Sequence, residues 1–264
     1  MSKPPKISAT VYRHDVVVSI KFSKFLQPDP APRENCRTWS KKSRKRLMFV
    51  AQNTDVRFQS MITLTYPAAF PRDGKVVKKH LNAMLMWLKY HTGGCDYLWF
   101  FEWQRRGAPH VHILLSSAIR GVLLVQDVSS AWYRICGSGD EKHRLAGTRC
   151  ESLRTENGAV RYALKYASKM RQKRVPEDFI NVGRMWGHSR AVGPKARSQA
   201  SFENLDQLKD AVSTWPKAYC LDESIYRTLY GAAEYFKVQH YVKLDTFIDE
   251  KTPTGADLWN FRSP

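Results

Sequence analysis

Hydrophobic residues recur with two periods along this chain, and the switches between them mark its elements. Met61–Tyr66 alternates, is rich in β-branched residues and stops at Pro67, the pattern of a central strand. From Lys75 to His91 the apolar positions become Val77, Leu81, Met84, Leu85 and Leu88, a helical stripe that Gly93 and Gly94 terminate. Tyr97–Trp103 and Pro109–Leu115 return to strand patterning on either side of Gly107. The order strand, helix, strand, strand predicts an α+β domain. Helical spacing resumes over Val125–Ile135 and Val160–Met170, and polar-rich helical candidates follow near Phe202–Val212 and Ser224–Phe236. Upstream, Val16–Phe22 reads as a short strand and the Pro-rich stretch Gln27–Pro32 as a linker. The chain thus divides into a basic N-terminal region over 1–45, a central domain over 46–192 and a mainly helical extension over 193–264.

Charge narrows the function classes. The 264 residues carry 43 Lys and Arg against 24 Asp and Glu, a net charge of +19, which calls for a polyanionic partner. Nucleic acid fits better than an acidic membrane surface, because no isolated basic amphipathic helix is flanked by disorder. Trp39, Tyr66, Trp103 and Trp186 sit near basic residues, as base-stacking surfaces require, although most aromatic residues are expected in the core. The run Ser40–Arg46 precedes Leu47, Val50 and Ala51 at helical spacing, so Lys41, Lys42, Arg44, Lys45 and Arg46 form the exposed flank of a helix and are candidates for phosphate contact. Arg105 and Arg106 are further DNA-binding candidates.

Several classes drop out. The five cysteines, Cys36, Cys95, Cys136, Cys150 and Cys220, are scattered without a Cys-x-x-Cys pair, against a secreted disulfide framework or a zinc ribbon and in favour of a reducing cytoplasm. No apolar run reaches membrane-spanning length, and the N-terminus lacks the apolar core of a signal peptide. A Walker-type phosphate loop is absent from the sequence, which excludes a fused helicase of that kind.

His110-Val-His112 carries the candidate chemistry. Alternation sends both imidazoles to one face of the strand and Val111 and Ile113 to the other. A three-residue hairpin loop of Arg105, Arg106 and Gly107 would set Glu102 directly opposite His110, on the imidazole face. A two-residue loop would pair Glu102 with Val111 and turn it away, so the carboxylate depends on the loop. Two imidazoles and a carboxylate suit a divalent ion. Magnesium or manganese is preferred to catalytic zinc, because phosphodiester chemistry needs a polarised phosphoryl oxygen.

A second constellation lies in Val160–Met170. At about 100° per residue, Tyr162, Lys165, Tyr166 and Lys169 share one face of a helix while Val160, Ala163, Leu164 and Ala167 form the other. Core tyrosines belong on the apolar side, whereas these stand among lysines. A phenol with a pKa near ~10 is a poor nucleophile, and neighbouring ammonium groups favour its phenolate.

Taken in order, Thr63-Leu-Thr65, Pro109-His-Val-His112 and Tyr162-x-x-Lys165-Tyr166-x-x-Lys169 resemble the three motifs of rolling-circle replication initiators of the His-hydrophobe-His endonuclease superfamily, in particular the two-tyrosine type of phages and plasmids. Lys41–Leu47 and Gly183–Gly187 look like flanking features of filamentous-phage-type members. The resemblance covers roughly residues 40–190. It implies a central antiparallel sheet with flanking helices, His110 and His112 as ligands to magnesium or manganese with Glu102 as the third, and Tyr162 and Tyr166 as nucleophiles. It further implies single-stranded DNA at a replication origin as substrate, a host helicase and polymerase as partners, no membrane, and a bacterial cytoplasm as the site of action. The tyrosines follow the histidines, which separates the chain from conjugative relaxases. A non-catalytic nucleic-acid-binding protein such as a repressor, and a single-tyrosine transposase, are the contrasting readings.

Overall fold

The computed structural model describes residues 6–21, 39–119, 124–155, 174–204, 206–208, 210, 218–219 and 238–244. The chain divides into two compact units, Pro28–Lys195 and the combination of Met1–Gln27 with Ala196–Pro264. The Pro-rich linker, the helix expected over Val160–Met170 and the helical candidate Ser224–Phe236 lie outside the described residues.

The first unit is built on five antiparallel strands. In chain order these are β3 (Ser60–Thr65), β4 (Tyr97–Trp103), β5 (Pro109–Leu115), β6 (Thr148–Ser152) and β7 (Trp186–His188). They lie side by side as β6-β3-β5-β4-β7, so the histidine strand β5 is at the centre. Four helices belong to this unit: α1 (Lys41–Asn53), α2 (Gly74–His91), α3 (Val125–Cys136) and α4 (Glu141–Ala146). This is the expected α+β architecture.

Local chemistry explains the helix ends. The Asp73 carboxylate accepts from the Lys75 amide at 2.8 Å and caps α2, while Gly93 and Gly94 adopt φ of +67° and +111° beyond its last turn. Helix α2 buries Val77, Leu81, Met84, Leu85 and Leu88, the stripe read from the sequence. It lies against one face of the sheet, where the Lys78 ammonium stands 4.1 Å from the centroid of Phe101 and 5.0 Å from that of Trp99. Lys78 also donates to the carbonyls of Val182 and Arg184. Helix α1 is tied to the edge strand β7: the indoles of Trp39 and Trp186 both donate to Ser43 Oγ, at 3.1 and 2.9 Å. Gly187 in β7 is required by its neighbour, because a Cβ there would stand 2.8 Å from the Trp99 ring.

The second unit differs from the linear division read in the sequence. Strands β1 (Lys6–Val11), β2 (Asp15–Lys21), β8 (Ser198–Phe202), β9 (Ala218–Tyr219) and β10 (Val238–Leu244) form one antiparallel sheet in the order β8-β1-β2-β10-β9. The N-terminal stretch is therefore not a separate region, and the described part of the C-terminal stretch is mainly strand; only residues 206–208 and 210 are helical. The physical reason is pairing. Ile7, Ala9, Val16 and Val18 are buried on one side of the β1–β2 hairpin, and a lone hairpin is marginal in water, so it recruits later strands on both edges.

Candidate metal centre

The geometry of the site begins in the β4–β5 hairpin. Gln104 N–H donates to the Ala108 carbonyl at 2.9 Å and Gly107 N–H to the Gln104 carbonyl at 2.8 Å, which leaves Arg105, Arg106 and Gly107 as a three-residue loop. Gly107 has φ of +80°, the left-handed position that such a loop assigns to glycine. In this register Glu102 pairs with His110 and Phe100 with His112. Strand β3 lies on the other side of β5 and pairs Thr65 with His110 and Thr63 with His112. Directly opposed residues share a face. Two threonines, two imidazoles and one carboxylate therefore converge on the face that α2 does not cover, while Val111 and Ile113 enter the core on the other.

Glu102, His110 and His112 each offer one donor atom, and the three atoms lie within 4.8 Å of one another. His112 and Glu102 are almost fully buried, at 1% and 2% exposure, whereas His110 is half-buried and gives access from solvent. Thr63 Oγ1 lies 3.0 Å from His112 Nδ1, and His112 Nε2 stands 3.3 Å from Glu102 Oε2. With the hydroxyl accepting from Nδ1–H, the Nε2 lone pair faces a carboxylate oxygen. Two such acceptors are reconciled by a cation between them, and the donor set of two nitrogens and one oxygen accommodates a divalent ion. Phe100 stacks on His112 with 5.0 Å between ring centroids and keeps one side of the imidazole dry.

The end of β3 is fixed beside the site. The Thr65 carbonyl accepts from Trp132 Nε1 at 2.8 Å and from His143 Nε2 at 2.7 Å, which pins α3 and α4 to this strand. Tyr66, the next residue, is a structural phenol: burial raises its pKa far above the usual value, and its hydroxyl lies 3.0 Å from His80 Nδ1. Burial lowers the His80 pKa in turn.

The basic candidates fall into different roles. Lys42, Lys45 and Arg46 are exposed on α1 and Arg44 is half-buried; Lys41 opens the helix. No acidic residue lies in the first turn, so the cations crowd the helix end where the backbone dipole disfavours them. Arg105 is exposed at the hairpin loop. Arg106 is engaged within the protein: it donates to Gln104 Oε1 at 2.9 Å, to the Pro67 carbonyl at 2.6 Å and to the Tyr66 carbonyl, and burial lowers its pKa. Tyr162, Lys165, Tyr166 and Lys169 lie outside the described residues. Thr63 was visible in the sequence as part of a motif, but its contact with His112 follows from the pairing of β3 with β5.

Residues 59–171 match a family model of replication-associated proteins, the ORF2 family. That span contains Thr63, Glu102, His110 and His112 as well as Tyr162 and Tyr166. Over 98 residues the chain is 33% identical to a protein of Xylella fastidiosa (strain 9a5c) named "Putative replication protein", an alignment that takes in 34% of this chain. The chain spans about a third of that relative's length (33%). No solved structure matches significantly. Among the described residues, no helix is long and apolar enough to cross a membrane.

Proposed function

We propose that this protein is a metal-dependent endonuclease that nicks single-stranded DNA at a replication origin and starts rolling-circle replication of a phage or plasmid. The observation that carries this reading is the convergence of Glu102, His110 and His112, with donor atoms within 4.8 Å, inside the span that matches a replication-associated family. His110 and His112 with Glu102 hold magnesium or manganese, and Thr63 fixes the tautomer of His112. A bound divalent ion supplies positive charge against a non-bridging oxygen of the scissile phosphate.

The nucleophile is a phenol of Tyr162 or Tyr166, with Lys165 and Lys169 favouring its ionised form. The phenolate oxygen attacks phosphorus, a P–O bond to the tyrosine forms, and the bond from phosphorus to the 3′ oxygen of the preceding nucleotide breaks. The phenolic proton passes to solvent and the departing oxygen gains one. The DNA 5′ end then remains on the protein as a phosphodiester, which preserves the bond for rejoining, and the free 3′-OH primes a host polymerase. Lys41, Lys42, Arg44, Lys45, Arg46 and Arg105 hold phosphates outside the reacting centre.

The test is incubation of the full chain with labelled single-stranded DNA and manganese, followed by denaturing electrophoresis. A covalent adduct is expected in manganese, and none in chelator or in His110→Ala and His112→Ala, while DNA binding persists in both variants. Full nicking by the unaltered protein in chelator rejects the reading.

A further inference from the structure

Sheet register places a cation beside the centre that none of the preceding roles uses. Strand β6 pairs with β3 so that Arg149 is opposite Thr63, and Thr63 is itself opposite His112. One row thus crosses the sheet from Arg149 through Thr63, His112 and Phe100 to Trp186, all on the face of the metal ligands. Two strand spacings, about 9–10 Å, separate the backbones of Arg149 and His112. Only the short Thr63 side chain lies between them. Arg149 is 74% exposed, and its guanidinium is paired with Glu151 Oε1 at 3.0 Å, two residues along the same face. Such an exposed pair contributes little to stability and yields readily to a better acceptor. A phosphate that presents two oxygens to the guanidinium is such an acceptor.

Other described cations near the site are differently employed. Lys78 lies under the opposite face of the sheet, against Phe101 and Trp99, and Arg106 is spent on the backbone of residues 66 and 67. We propose that Arg149 is the anion-binding arm of this centre, swinging from Glu151 to a phosphate held against Glu102, His110 and His112. The proposal rests on the metal-dependent reading above and adds a substrate-binding residue to it. Glu151 acts as a parking place for the guanidinium while the phosphate is absent.

The experiment uses the full chain loaded with manganese and inorganic phosphate as the probe. Manganese affinity is measured by titration, and phosphate affinity by the relaxation that bound manganese imposes on the phosphorus resonance. Arg149→Gln should weaken phosphate about ten- to a hundredfold, the share of a charge-assisted bidentate contact, and leave manganese affinity unchanged. Arg149→Lys should recover part of the loss. Arg154→Gln, which removes a charge just beyond β6, should stay within about twofold of the unaltered protein, as one screened, exposed charge predicts. Glu151→Gln should bind phosphate as well as or better than the unaltered protein. Phosphate affinity untouched by Arg149→Gln, or reduced as much by Glu151→Gln, overturns the arm while the metal reading stands. Loss of manganese from Arg149→Gln overturns it too, since the residue would then support the fold. Failure of the unaltered protein to hold manganese rejects both readings.

Discussion

Thr63 and His112 face each other across the β3–β5 pair, with Oγ1 and Nδ1 3.0 Å apart and both side chains buried. This contact orients the ring whose other nitrogen approaches Glu102. Thr63→Val keeps the shape and removes the hydroxyl. It should weaken manganese binding about ten- to a hundredfold, as losses in the shell behind a metal ligand do. Calorimetric titration reads the change, and equal affinity in the variant would show that the hydroxyl does not orient the imidazole.

The two sets of arginines and lysines should separate experimentally. Joint neutralisation of Lys41, Lys42, Arg44, Lys45 and Arg46 is expected to flatten the salt dependence of single-stranded DNA binding, by a slope of roughly 0.7 for each phosphate no longer neutralised. Arg106→Gln should leave that slope alone and lower thermal stability instead, because its donors hold the carbonyls that follow β3. An unaltered slope in the α1 variant would make the basic run a solvated face.

Tyr162 and Tyr166 stand four residues apart, about one helical turn if the segment is helical. Two phenols permit a covalently loaded enzyme to cut a regenerated origin before it releases the first end. Tyr162→Phe and Tyr166→Phe should each retain some cleavage and lose circular product, and the double variant should form no adduct. One silent and one dead single variant would mean that a single tyrosine serves.

Gly107 sets the loop that sets the register. With φ of +80°, Gly107→Ala should cost about 1–2 kcal/mol from left-handed strain, and a Cβ would also meet Pro176 Cγ at 3.3 Å. Denaturant melting measures the loss. A variant of undiminished stability would show that the hairpin tolerates another turn.

Lys78 links stability to pH. Burial pushes its ammonium down to about 7 from the ordinary 10.5. Between those values the unfolded chain binds one proton more than the folded chain at this position, so its contribution grows as pH rises through the window. The stability difference between the unaltered protein and Lys78→Met should therefore shift toward the unaltered protein from pH ~7 to ~10. A difference independent of pH would mean that the lysine titrates normally.

How much of the fold is legible in the sequence depends on burial. Strands β4 and β5 alternate strongly because both are central, and their short loop lets Glu102 be placed against His110 from residue spacing alone. The edge strands carry weaker signals. Thr148–Ser152 has one half-buried cysteine and four polar residues, and Trp186–His188 is too short for a period to show, so β6 and β7 were not foreseen and Arg149 went unnoticed with them. The sheet that joins β1 and β2 to β8 and β10 is invisible to local pattern, since its partners are separated by the whole of the other unit.

That interrupted sheet bears on how the protein is made. A ribosome delivers chains from the N-terminus at about 5–20 residues per second. The stretch from Pro28 to Lys195 is complete, and free to fold, while β10 has not yet been synthesised. During that interval β1 and β2 have emerged with one edge awaiting β8 and the other awaiting β10. Nascent chains stalled before Val238 should accordingly carry a protected centre at Glu102, His110 and His112 and an unfinished N-terminal hairpin open to proteases or to a chaperone.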